Sequence, residues 1–120
     1  MKTLALGAII VSLAIGTIGA QATPTTIKGH LIDVACGTEK DANSKTAAKH
    51  DKPCLEMDDC VKSGYGVMTA DNKFFKFDAA GNKNVRATIK ATDKKADWRV
   101  TVVGDVKGDL ITVQTLTVDK

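Results

Sequence analysis

The chain has 120 residues, with 17 Lys and Arg against 14 Asp and Glu for a formal net charge of +3, three cysteines and only 4% aromatic residues. This length builds one small core and excludes two full domains. The charges are interleaved, with Lys94 and Lys95 flanked by Asp93 and Asp97 and Lys49 and Lys52 by Asp51, which argues against nucleic acid, a partner that demands a concentrated basic face.

Residues 1–22 have the pattern of a secretory signal peptide. Lys2 supplies a positive start, Leu4 to Ile18 is apolar apart from Ser12, Thr17 and glycines, and Ala20-Gln21-Ala22 forms a small-x-small peptidase site. The apolar run is too short and Gly-rich for a membrane anchor, no stop-transfer pattern follows, and no cysteine at the cleavage site marks a lipoprotein. The expected mature chain is a single domain, residues 23–120, periplasmic or secreted, with no membrane span after signal cleavage. Loss of Lys2 takes its formal charge to +2.

From Thr25 to Cys36 the residues are mostly β-branched or apolar, and the apolar phase switches from Ile27, Gly29 and Leu31 to Ile32, Val34 and Cys36. This predicts a long first strand with a bulge or coil near its middle. Residues 37–52 form a polar excursion, with a weak helical turn over 44–49, and are the expected mobile segment. Asp51 and Pro53 start a helix, with Asp51 as N-cap. Cys54, Met57 and Val61, joined by Leu55 on an adjacent stripe, mark its buried face, and Gly64 ends it. Residues 65–70 and 74–77 read as two strands joined by a turn at Asp71-Asn72, with Phe75 and Phe77 on one face. Ala79-Ala80-Gly81-Asn82 reads as a break, with Asn82 capping a helix to about Thr92, although Val85, Ala87, Ile89 and Ala91 also fit strand alternation.

Trp98, Val100 and Val102 open a strand that turns at Lys107-Gly108-Asp109 into a last strand over 110–118. There Ile111 and Val113 fall out of phase with Leu116 and Val118, which predicts a bulge near Gln114 and Thr115. Five strands with a helix between the third and fourth predict a mainly β (α+β) fold: a small five-stranded barrel like the oligonucleotide/oligosaccharide-binding (OB) fold, with one or two short helices. A plain antiparallel α+β sheet is the alternative.

Through Lys62-Ser63-Gly64-Tyr65-Gly66-Val67 and Phe74-Phe75-Lys76-Phe77-Asp78-Ala79-Ala80-Gly81-Asn82, the chain resembles a group of small exported bacterial proteins of unknown function. The likeness takes in Gly29, Cys36, His50, Cys54, Cys60 and the stretch from Val103 to Asp109. It implies export and a single short β-rich domain, and brings no activity with it.

The chemistry-bearing residues are Cys36, His50, Cys54 and Cys60, spaced C-x13-H-x3-C-x5-C. Three thiolates and an imidazole complete a tetrahedral zinc set, and soft ligands also accept Cu(I). For an exported chain the first expectation is a disulfide among Cys36, Cys54 and Cys60, one cysteine being left over. A continuous helix separates the Cα atoms of residues 54 and 60 by about 9 Å, beyond the roughly 7 Å limit for a bridge, so Cys36 then pairs with one of them. The loop so closed, of roughly twenty residues, is worth about 3 kcal/mol in the entropic account. A helix broken near Asp58-Asp59 instead allows a bridge between Cys54 and Cys60. His50, between Lys49 and Asp51, is by default a solvated histidine, raised as a ligand by its place four residues before Cys54. His30 reads as a structural or edge residue.

Nothing in the chain matches a nucleophile elbow, H-E-x-x-H, a phosphate loop or C-x-x-C, so it reads as a non-enzyme. Tyr65, Phe74 and Trp98 are candidates for a ligand face that stacks bases or sugars. Two functions follow. One is an exported binding or structural module without a cofactor, stabilised by a disulfide, whose partner is a small ligand or envelope protein. The alternative is a cell-envelope protein binding Zn or Cu through Cys36, His50, Cys54 and Cys60.

Overall fold

The computed structural model describes residues 23–120, and the expected signal peptide lies outside them. In chain order the elements are β1 (Thr25–Asp33), α1 (Val34–Gly37), α2 (Ser44–Ala48), α3 (Lys52–Leu55), α4 (Asp58–Ser63), β2 (Tyr65–Met68), β3 (Phe74–Phe77), α5 (Ala79–Ala91), β4 (Arg99–Lys107) and β5 (Leu110–Val118). The protein is mainly β in an α+β arrangement, with five helical segments in place of the one or two expected.

One mixed sheet takes the order β1-β2-β3-β5-β4 and closes on itself. Strand β1 makes the closure possible because its two halves have different neighbours. Thr25 to His30 pair antiparallel with β4, and His30 to Asp33 pair antiparallel with β2. Strand β3 meets β5 in parallel through Lys76 and Phe77. Between β4 and β5 the register shifts: Val103 faces Thr115 while Gly104 faces Val113, so Gln114 is the extra residue of a bulge, where the apolar phase predicts it.

The core fills the closed sheet. Ile27 and Leu31 from β1, Val67, Phe77, Trp98, Val100, Val102 and Ile111 are all buried there, and α5 seals one side with Val85 and Ile89. These two lie at the i, i+4 spacing of a helix, which decides against a strand over 85–91. The helix begins earlier than expected. Asp78, not Asn82, is its cap, accepting from Gly81 N at 3.0 Å and from Val113 N at 3.2 Å. Asn82 instead accepts from Tyr65 N at 2.8 Å and ties the helix to the start of β2.

Strand β1 carries no bulge, and it stops at Asp33 rather than Cys36. The phase switch has another cause: both faces of its last residues are covered. Leu31 enters the main core, whereas Ile32 on the opposite face meets Met68 and Ala47 in a second cluster, against which Cys36, Ala42 and Phe74 pack. This outer layer belongs to the insertion between β1 and β2, so the polar excursion has a small core of its own. A capping box orders α2: Asn43 accepts from Thr46 N while the Thr46 hydroxyl accepts from Asn43 N.

The single helix expected after Asp51 is two short ones. Met57 adopts an extended conformation between α3 and α4 and is 57% exposed, a correction to its place on the buried face. Leu55 is buried as expected, fully so, and its carbonyl accepts the Tyr65 hydroxyl at 2.5 Å.

Candidate metal centre

The site forms where β1 runs into the insertion. Asp33 ends the strand and caps α1, its Oδ2 accepting from Cys36 N at 2.9 Å. In a turn capped this way the N-cap and N3 side chains face each other, so the cap places the Cys36 thiol beside the Asp33 carboxylate. Helix α4 packs against α1 and brings Cys60 to the same point. One donor atom from each of Asp33, Cys36 and Cys60 lies within 4.8 Å of the others, a spread that a single ion, with bonds of about 2.0–2.3 Å, draws together.

The Asp33 side chain is fully buried, and its Oδ1 has no hydrogen-bond partner. The basic group facing it is His50, with Nε2 3.6 Å from Oδ1. Burial, then the Asp33 charge, push the Cys36 thiol up to about 12. The Cys60 thiol is raised by burial, then by the Asp33 charge and by hydrogen bonding to the Asp33 carboxylate, with hydrogen bonding to Cys36 acting the other way. The cluster thus concentrates groups that become anionic around one buried carboxylate.

All three cysteines are free thiols, so the disulfide expected first is not formed. The broken helix removes the bar to a link between Cys54 and Cys60, yet the pair brought together is Cys36 and Cys60. Cys54 stands apart. Its backbone N–H donates to Asp51 Oδ1 at 3.0 Å, and its thiol, raised first by hydrogen bonding to the Asp51 carboxylate, is turned to that cap. Of the four candidate ligands, two lie in the cluster, His50 borders it through Asp33, and Cys54 is outside the close group. Asp33 is the donor that ligand spacing alone misses. Its signal is the D-x-x-C pattern at a strand end, where a capping carboxylate and a thiol share one turn.

The expected ligand face is not assembled. Tyr65 and Trp98 are 2% and 1% exposed and belong to the core. Phe74 is half-buried and packs over two glycines: a Cβ at Gly37 lies 2.7 Å from its ring, and one at Gly66 lies 2.6 Å from the ring and closer still to the Phe75 carbonyl oxygen, so Gly37 is bare to admit the ring and Gly66 to admit both the ring and the paired strand. His30 is remote from the cluster in its contacts, 3.2 Å from Asp97 Oδ1.

Two surface clefts, of about 560 and 510 Å³, lie against α5 (with Lys83, Arg86 and Lys90) and between β1 and α2 (with Lys28, His30 and Lys45). Neither is lined by Asp33, Cys36 or Cys60. The three donor atoms of the cluster, within 4.8 Å of one another, suit an ion rather than a small organic molecule. No helix among the described residues is long and apolar enough to cross a membrane. Comparison with protein families, with curated proteins and with solved structures finds no match.

Proposed function

We propose that this is an exported protein that binds a soft or borderline transition metal, zinc or copper, in the insertion of a small OB-like barrel. The observation that carries the reading is the buried Asp33 carboxylate, with one oxygen unpartnered and two thiols beside it. A buried carboxylate oxygen left without a partner is costly, and here only Oδ2 takes a backbone hydrogen bond, from Cys36 N. A cation held between Asp33, Cys36 and Cys60 supplies that partner, and thiolate sulfur favours zinc or Cu(I) over magnesium or calcium.

Several features support the OB-like reading of the barrel: the strand order, the parallel contact of β3 with β5, the helix between β3 and β4, and the bulge in β5. The signal-peptide pattern of residues 1–22 supports export to the periplasm or beyond. With Tyr65 and Trp98 in the core, a stacking ligand has no face built from them, so the metal reading takes precedence over a general binding module.

The test is the mass of the mature protein under native and then denaturing conditions, after purification without added reductant. The reading expects native mass to exceed denatured mass by one zinc or copper ion, with all three thiols reduced. A metal-free mass lowered by two protons in both conditions identifies a disulfide protein and overturns it.

A further inference from the structure

We infer that the ion is Zn²⁺, held by Asp33, Cys36, His50 and Cys60, and that Cys54 is not a ligand. This rests on the metal-binding reading and adds the identity of the ion and of its fourth donor. His50 Nδ1 lies 3.1 Å from the Thr46 carbonyl. A carbonyl oxygen only accepts, so Nδ1 carries a proton, and Nε2 is the ring nitrogen left to face the cluster. That atom lies 3.6 Å from Asp33 Oδ1, the oxygen without a hydrogen-bond partner.

A cation entering between them displaces any proton on Nε2 and makes both atoms into ligands. A backbone carbonyl on the far ring nitrogen is the usual device for fixing the tautomer of a metal-bound histidine. Here the carbonyl belongs to α2, whose capping box holds Thr46 in place. His50 is therefore aimed before any ion arrives. Cys54 has the opposite commitment: His50 and Cys54 both lie outside the three donors that converge within 4.8 Å, but His50 Nε2 faces Asp33 Oδ1 whereas the Cys54 thiol hydrogen-bonds the Asp51 carboxylate.

Two sulfurs, one nitrogen and one oxygen in a closed, mostly buried set suit four-coordinate Zn²⁺. Cu⁺, the softer ion, favours sulfur and has little use for a carboxylate.

The experiment loads the reduced mature chain with Zn²⁺ alone and measures X-ray absorption at the zinc edge. The expected shell has two sulfurs at about 2.3 Å and two lighter donors at about 2.0–2.1 Å. In competition with a chromophoric chelator, Cys54→Ser stays within about threefold of wild-type affinity while His50→Ala loses at least about tenfold. The absorption measurement needs no variant, so misfolding of His50→Ala leaves the assignment falsifiable. Bound zinc with three sulfurs, or an affinity loss on Cys54→Ser that exceeds the loss on His50→Ala, overturns this assignment alone. A reduced wild-type chain that takes up no zinc overturns the metal-binding reading and the assignment with it.

Discussion

Two turns of the insertion are built alike and end in different chemistry. In both, an aspartate caps a four-residue helix and a cysteine follows at the third helical position, its backbone N–H donating to the carboxylate: Cys36 to Asp33 at 2.9 Å, Cys54 to Asp51 at 3.0 Å. The first turn continues a strand whose preceding residues, Leu31 and Ile32, are buried on both faces, so Asp33 is carried out of water with them. The second follows a polar stretch and is anchored by Lys52, through backbone donation to the Lys95 carbonyl and ammonium donation to the Thr92 carbonyl. Its aspartate keeps contact with solvent, and the Cys54 backbone N–H beside it holds its carboxyl below the usual carboxylate range. A D-x-x-C cap is a local device. Burial, with Cys60 and His50 arriving from other elements, turns one copy into a candidate centre.

The comparison breaks most sharply at the two aspartates. Asparagine caps as well as aspartate, so Asp33→Asn and Asp51→Asn both retain the turn and remove only the charge. Asp33→Asn is expected to weaken zinc binding by at least about a hundredfold and Asp51→Asn by less than about threefold, measured by chelator competition. Equal losses would mean that the two caps are equivalent and the centre is misplaced.

Removing the metal gives the next effect. Zinc at a free concentration of about a hundred times Kd stabilises the fold by about 2.7 kcal/mol if it binds only the native state. The urea midpoint of the wild type and of Asp51→Asn should rise with zinc and fall back with a chelator, while Asp33→Asn, at most half-saturated at that concentration, gains no more than about 0.4 kcal/mol.

The fold was more legible in the sequence than the site, for a physical reason. Strand alternation, the turns at Asn72 and Gly108 and the phase slip at Gln114 are local patterns that the sheet obeys. The sites of misreading are those where tertiary contact overrides local pattern. The apolar phase in β1 changes because the insertion covers a second face, not because the strand bulges. Asn82 has the chemistry of a cap, but Asp78 lies where it also reaches Val113 N on β5. Cys36 and Cys60 were legible as candidates by chemistry, but not as the pair, since spacing left Cys54 an equal choice. Asp33 was not, because a lone acidic residue at the end of an apolar run shows no partner until α1, α4 and His50 have folded around it.

A smaller effect tests how the first turn is completed from a distance. Asn43→Ala removes the capping box of α2 and should cost about 1 kcal/mol of stability. Because the Thr46 carbonyl that orients His50 belongs to this helix, zinc affinity should also fall, by less than the loss on His50→Ala. A variant that loses stability while keeping full affinity would show that His50 is held by the Asp33 side alone.

The last difference between the turns is silent at neutral pH. The thiols of Cys36 and Cys54 are both raised from an ordinary value of 9.0, but by different means: Cys36, to about 12, by burial and then by Asp33, Cys54 first by its hydrogen bond to Asp51. When a folded-state value is raised, the unfolded chain releases its proton first, so the native state binds more protons at alkaline pH and stability falls as pH rises. For the metal-free protein this contribution is intact below pH 9.0 and is lost progressively toward about 12. Tyr65, raised from 10.0 to about 12 mainly by burial, adds a similar slope in the upper part of that window in every variant. Urea midpoints measured from pH 7 to pH 10.5 should therefore drop at the alkaline end. Cys36→Ser should flatten that drop more than Cys54→Ser does, because burial acts on the first turn and hardly on the second. Equal flattening would place the two thiols in the same environment and remove the distinction on which the centre is built.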